Sequence, residues 1–426
     1  MEPAVWSGVA AAPAAPDARA VRDGVIARPG LFQRLTQAQR VVQVSAPPGS
    51  GKTILLRSWI AECGLAGRVA WVAVPGDCDA QRFWVSVTGA LRGMAAGSAL
   101  VRPLTAAPEL DGWTVVERLL DDLASLEEHV WLVLDDLHEL GTAEALRQLE
   151  LLIMRAPPAL RFVLVTRHDL RLGLHRLRLA GELSEIRTAD LRFSRPEARA
   201  LLDATGVSLS DAALSVLYAR TEGWAAGLRL AALSLAGHPD PDRFAAEFSG
   251  SERTVAEYLL AEVLDRQPPE VRRLLLRTSV LDRVNGELAD LLTGGSGGER
   301  LLQQLEQANT FVISVDARRS WFRYHQLFAD LLQLELRGSA QAELPALHAA
   351  AAGWYADHGY QVEAIRHAQI AEDWALAARV LSAHWVGLGL NGLGATAYEL
   401  LAAFPAGVIA GNAELAARRA GVEVGR

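Results

Sequence analysis

Residues 41–53 read VVQVSAPPGSGKT, and few stretches leave a chain so little choice of fold. Val41, Val42 and Val44 are β-branched and apolar, which suits a buried strand. Pro47, Pro48, Gly49, Ser50 and Gly51 end that strand, and residues 54–61 then read as helix. A strand, a glycine loop and a helix start bring free backbone N–H groups and the positive end of a helix dipole to one point, a cradle for phosphate. The spacing is A-x-x-x-x-G-K-T, with Ala46 where the stricter pattern carries glycine. Ala46, Gly49, Ser50, Gly51, Lys52 and Thr53 are therefore the candidate phosphate-binding residues, with Thr53 also a candidate Mg²⁺ ligand.

Lys52 stands apart in composition as well. The chain carries 42 Lys plus Arg, and every one except Lys52 is arginine. A compact ammonium fits between the β- and γ-phosphates of a nucleotide, where a planar guanidinium is too wide, so this position resists the exchange made everywhere else.

A second chemical signal lies downstream. Residues 130–134 are an apolar run leading directly into Asp135 and Asp136. A buried strand ending in carboxylates presents them at the carboxyl edge of a parallel sheet, where α/β proteins bind ligands. Asp135 is expected to hold Mg²⁺ and Asp136 to orient or deprotonate a water, with helix capping the bland alternative for Asp136. Residues 69–74 and 161–166 read as further strands, the latter ending at Thr166 and Arg167. Arg167 there could sense a γ-phosphate or be an ordinary surface arginine. With residues 183–187 as a fifth strand, the pattern is a doubly wound parallel α/β P-loop domain with an extra strand between the phosphate loop and the aspartates.

At 426 residues the chain should hold roughly two to four domains. A net charge of −8 offers no general attraction to nucleic acid or an anionic membrane, so neither direct DNA contact nor membrane association is expected. Cys63 and Cys78 give no disulfide framework and no metal spacing, which suits a reducing, cytoplasmic setting. Residues 1–24 begin Ala/Pro-rich and read as a flexible N-terminal arm. The P-loop domain is placed at 25–192 and a helical domain at 193–250. A winged-helix-like domain follows at 251–338, where residues 311–315 and 321–324 read as a hairpin. Residues 339–426 hold short helices of similar length and read as the start of a helical-repeat, TPR-like arm.

The segments SAPPGSGKT, VWLVLDDLHEL, LVTRHDL, TEGWAAGLRLAALSL, LEQANTFV and WFRYHQLFADLL resemble, in order, the signal-transduction ATPases with numerous domains, the STAND class. Within that class they are similar to the MalT-like, LuxR-type transcriptional regulators. The resemblance implies an ATP/ADP switch with Mg²⁺: a resting ADP state, self-association with ATP and an inducer, and slow hydrolysis as the reset. Gly51, Lys52 and Thr53 would hold phosphate and metal, Asp135 and Asp136 would be the metal and water carboxylates, and Arg167 would be the sensor. Arg28, in ARPGLFQRL, would lie by the adenine, and His325, in RYHQLFADLL, would touch the β-phosphate of ADP. Ala225 stands where related ATPases place proline. Relatives continue into a sensor and a DNA-binding helix-turn-helix, so this stretch reads as a switch core. The competing readings are an AAA-type ATPase that performs work and a scaffold that binds nucleotide without hydrolysing it. The inducer is left open.

Overall fold

The computed structural model describes residues 25–76, 78–94, 97, 100–102, 111–170 and 172–424. The expected N-terminal arm, 1–24, lies outside the described residues. Two compact units divide the chain: one runs to Phe248 and takes in Gln307–Thr310, and the other comprises Ser249–Glu306 and the chain from Phe311 onward.

The first unit is built on five parallel strands, β1 (Val41–Ser45), β2 (Val69–Ala73), β3 (Val130–Asp135), β4 (Leu160–Thr166) and β5 (Leu183–Arg187), in the spatial order β2-β3-β4-β1-β5. β4 is thus the strand between the phosphate-loop strand and the aspartate strand. Central strands covered on both faces are mostly apolar, and β1 and β3 are buried along their whole length, with the buried polar Gln43 of β1 donating to Asp169. Alternation divides them between two cores. Leu132, Leu134, Phe162 and Leu164 meet helices α3 (Ala80–Gly93), α4 (Gly112–Leu123) and α5 (Ala143–Arg155) on one face. Val42, Val44, Val133, Val163 and Val165 meet α1 (Pro29–Gln37) and α2 (Lys52–Glu62) on the other. α1 is a helix that periodicity had not marked; Pro29 at its first position presets the backbone, and Leu31, Phe32 and Leu35 form its buried face.

Beyond β5, the helices Arg195–Ala204, Asp211–Thr221, Ala225–Leu235 and Pro241–Glu247 complete this unit. Ser194 and Glu197 close a reciprocal capping box at the first, with Pro196 in its opening turn. The tight turn before Ala225 depends on Gly223, at φ 72°, where a Cβ would lie 2.4 Å from the Phe193 carbonyl.

The second unit holds a three-stranded antiparallel sheet in the order β6-β8-β7, from β6 (Val284–Asn285), β7 (Val312–Ser314) and β8 (Trp321–Tyr324). β7 and β8 form the expected hairpin, its turn tied by the Asp316 carboxylate accepting from the Ser320 and Trp321 amides. β6, two residues long, is too short to carry a period and escaped the sequence reading. The helices of the arm are Leu344–Asp357, Gln361–Ile370 and Trp374–Leu390, followed by Gly394–Ala402, Ala406–Ala410 and Ala413–Val424. They are not of similar length: the third has 17 residues against 10 in the second, because nothing breaks the helix before the Asn391-Gly392 turn. Among the described residues no helix is long and apolar enough to cross a membrane.

Candidate functional site

β1 ends at Ser45, and the loop that follows bends through Gly49 (φ 71°) and Gly51 (φ 81°) before α2 starts at Lys52. The left-handed backbone at Gly51 lets the loop turn so that the helix N-terminus faces back across it. Lys52 is only 8% exposed. Its Nζ donates to the carbonyls of Ala46 at 2.7 Å and Pro47 at 2.9 Å, both in its own loop. Burial, reinforced by the charge of Arg167 and opposed by Asp136 and Asp135, lowers its pKa to about 8.

Thr53, the next residue, donates from Oγ1 to Asp135 Oδ2 at 3.0 Å. Asp135 is 4% exposed and also accepts the Asp136 amide at 3.1 Å. Burial, and then the neighbouring Asp136 charge, raise its pKa above the usual carboxylate range, against the two hydrogen bonds and Lys52. A hydroxyl and a carboxylate side by side are hard oxygen donors of the kind Mg²⁺ takes. No group of three His, Cys, Asp or Glu side chains suited to a metal occurs among the described residues.

Asp136 adopts a left-handed backbone, φ 54°, uncommon for a non-glycine residue. It precedes the short helix Leu137–Glu139, yet its side chain makes no capping hydrogen bond, so the capping alternative does not describe it. His138 Nδ1 lies 4.0 Å from Asp136 Oδ1, and its Nε2 lies 3.4 Å from Glu139. Sequence reading passed over this histidine because only the tight turn folds it back to the aspartate.

The carboxyl ends of β1 and β4 are joined by Asn309, whose Nδ2 donates to Ser45 Oγ at 3.2 Å and to the Arg167 carbonyl at 2.9 Å. The Thr188 hydroxyl donates to Asn309 Oδ1 at 3.3 Å. Asn309 itself has φ 51°. Its segment, LEQANTFV, carries the family resemblance, but the residue's own part is not legible there, since its partners lie far away in the chain. The N-terminus of the helix Ala225–Leu235 also meets the phosphate loop: the Ala226 amide donates to the Gly49 carbonyl at 2.9 Å, and Trp224 Nε1 to the Pro48 carbonyl at 3.1 Å. Ala225 therefore begins a helix that touches the loop.

Beside the loop lies a cavity of about 220 Å³. Val25, Ile26, Phe32, Leu191, Phe193 and Leu201 supply apolar wall, Ile54, Leu55 and Ser58 line it from α2, Ala225 and Arg229 from the helix Ala225–Leu235, and Ser50 and Gly51 of the loop form its border. Arg28 lines it too, but its guanidinium is engaged: it donates to the carbonyls of Leu191, Asp190 and Arg192 and to Glu197, and lies over the Phe193 ring. Arg28 thereby pins the segment before α1 to the chain after β5. His325 belongs to the second unit, where it is buried, precedes the helix Gln326–Ala340 and packs edge-on to Phe311.

A parallel sheet whose first strand runs through a glycine loop into a lysine-led helix, with a carboxylate closing the strand one removed from it, defines a P-loop NTPase fold. Residues 260–344 match the MalT winged helix domain. The chain is 32% identical over 357 residues to the HTH-type transcriptional regulator MalT of Serratia proteamaculans, covering 82% of this chain and 39% of that protein. With MalT of Yersinia pestis it shares 30% over 402 residues, 92% of this chain and 44% of the relative. It is also 34% identical over 351 residues to the serine/threonine-protein kinase PknK of Mycobacterium tuberculosis, 80% of this chain and 31% of the kinase. The chain belongs to the MalT-like family, and it spans less than half the length of these curated relatives. Among solved structures it resembles a STAND protein with a tetratricopeptide repeat sensor from Pyrococcus horikoshii, at 16% identity and a TM-score of 0.38, over 94% of this chain and 56% of that one.

Proposed function

We propose that this chain is the nucleotide-binding core of a regulatory switch of the MalT type, taking ATP or ADP with Mg²⁺. The observation that carries the reading is the sharing of Ser50 and Gly51 between the phosphate loop and the apolar cavity. A molecule with an anionic tail at Lys52 and a flat, largely apolar ring in the cavity matches both at once, and an adenine nucleotide has that shape. In this reading Ala46, Gly49, Ser50, Gly51 and Lys52 cradle the phosphates, and Thr53 and Asp135 hold Mg²⁺, which neutralises phosphate charge when bound. Asp136 orients water, and Arg167 responds to the γ-phosphate.

The modules are read as a P-loop domain at 25–192, a helical domain at 193–250, a winged-helix-like domain at 251–338 and a repeat arm at 339–426. Because Trp224 and Ala226 bond to the loop's own carbonyls, a change in the loop on exchange of ATP for ADP reaches the helical domain directly. Slow hydrolysis then resets an ATP-dependent self-association governed by an inducer.

Titration with fluorescent ATP and ADP tests the proposal. Binding is expected to depend on Mg²⁺ for ATP and to disappear in Lys52→Ala. Asp136→Ala is expected to retain ATP and favour association. Failure of the native protein to bind either nucleotide contradicts the proposal, and equal nucleotide content in the native protein and Asp136→Ala contradicts the hydrolytic reset.

A further inference from the structure

Ser58 sits on α2 with Ile54 and Leu55, on the helix face that lines the cavity. The residue is 2% exposed, and its Oγ has no hydrogen-bond partner. Even the bond a helical serine commonly makes to the carbonyl one turn back is missing. A hydroxyl shielded from water without a partner destabilises the fold, so its presence on a largely apolar lining calls for an explanation.

We propose that Ser58 is a specificity-determining residue whose Oγ hydrogen-bonds the edge of the bound base. This rests on the nucleotide reading above and deepens it. The hydroxyl hangs from one rotatable bond and both donates and accepts, so it can meet the exocyclic amine or a ring nitrogen of an aminopurine. Of the other polar side chains on the lining, Ser50 belongs to the phosphate loop, Arg28 is already committed to Glu197 and three carbonyls, and Arg229 comes from the helix Ala225–Leu235 rather than from α2. A hydroxyl without a partner on a largely apolar lining suits adenine, with its short polar edge. Guanine brings a keto oxygen, a ring N–H and an amine together, more polar groups than the Ser58 hydroxyl alone can meet.

The test uses the full chain, with ADP and inorganic tripolyphosphate as probes, in the native protein and in Ser58→Ala. Tripolyphosphate reports on the loop alone. The expected result is ADP weakened roughly tenfold with tripolyphosphate unchanged. The melting temperature of the ligand-free variant is expected to equal or exceed the native value, since an unsatisfied hydroxyl has been removed. Unchanged ADP affinity overturns the proposal. Equal losses for both probes, or a lower melting temperature, also overturn it, because Ser58 would then serve the fold of α2. If the native protein binds neither probe, the nucleotide reading itself fails, an outcome distinct from a Ser58 that does nothing.

Discussion

Two regions of this molecule bury ionisable groups, and they resolve the cost of doing so in opposite ways. In the arm, His348 and His367 face each other with their Nδ1 atoms 2.8 Å apart, so one neutral ring donates and the other accepts. Burial lowers the pKa of His348; burial, then the neighbouring imidazole, lowers that of His367 to about 4. The pair completes itself and asks for no ligand. At the phosphate loop, the Lys52 cation and the Asp135 anion are both buried, yet Lys52 bonds backbone carbonyls and Asp135 bonds a hydroxyl and an amide. Both are pushed toward their neutral forms, Lys52 downward and Asp135 upward. Buried groups that satisfy one another are structure, whereas buried charges that remain uncompensated mark a place for an anion and a cation from outside.

Several substitutions would break or sharpen that contrast. Lys52→Ala should weaken ADP by about a hundredfold or more, since a charge-assisted phosphate contact is lost, and equilibrium titration reads this directly. Asp135→Asn should weaken Mg²⁺-dependent ATP binding roughly tenfold. The same change should raise the melting temperature of the free protein, because a carboxyl whose pKa is raised by folding opposes folding above that pKa. A fall in both quantities would make Asp135 a structural residue and erase the contrast.

The histidine pair should produce the smallest effect, and in a different variable. Its folded pKa values lie below the ordinary histidine value near 6.5, so between about pH 6.5 and 4 the unfolded chain binds more protons than the folded one. Stability should therefore fall as the pH drops through that window, by on the order of 1 kcal/mol from pH 7 to pH 5. Denaturant melts should show the decline flattened in a His348→Phe/His367→Phe double variant, with nucleotide affinity unmoved. An acid dependence identical in native and double variant would show that the pair does not titrate as described.

The same contrast explains what the sequence could disclose. The stretch from Val41 to Thr53 was legible because each position is chemically forced: β-branched residues for a strand buried on both faces, glycines for left-handed turns, one lysine among arginines. Asp135 was legible because a run of apolar residues ending in a carboxylate has few other uses. Ser58 was not, and Asn309 and Trp224 were legible only as members of resembling segments, since what each of the three does lies in what it meets. Asn309 bonds Ser45 from 264 residues away, and Trp224 bonds Pro48 from 176. Ser58 is distinguished by the partner it lacks, a property no local pattern encodes. The histidine pair, 19 residues apart on two helices, needed the arm's packing before either ring had meaning.

Because Lys52 is the only lysine in the chain, its ammonium can be observed without assignment. NMR of protein labelled at lysine Cε should show one resonance titrating near pH 8 in the free protein, against an ordinary value of about 10.4. Saturating ADP should move that midpoint above 10, as phosphate replaces carbonyls around the charge and a proton is taken up on binding at pH 8 to 9. A midpoint near 10.4 in the free protein, or one that ADP leaves unchanged, would contradict the account.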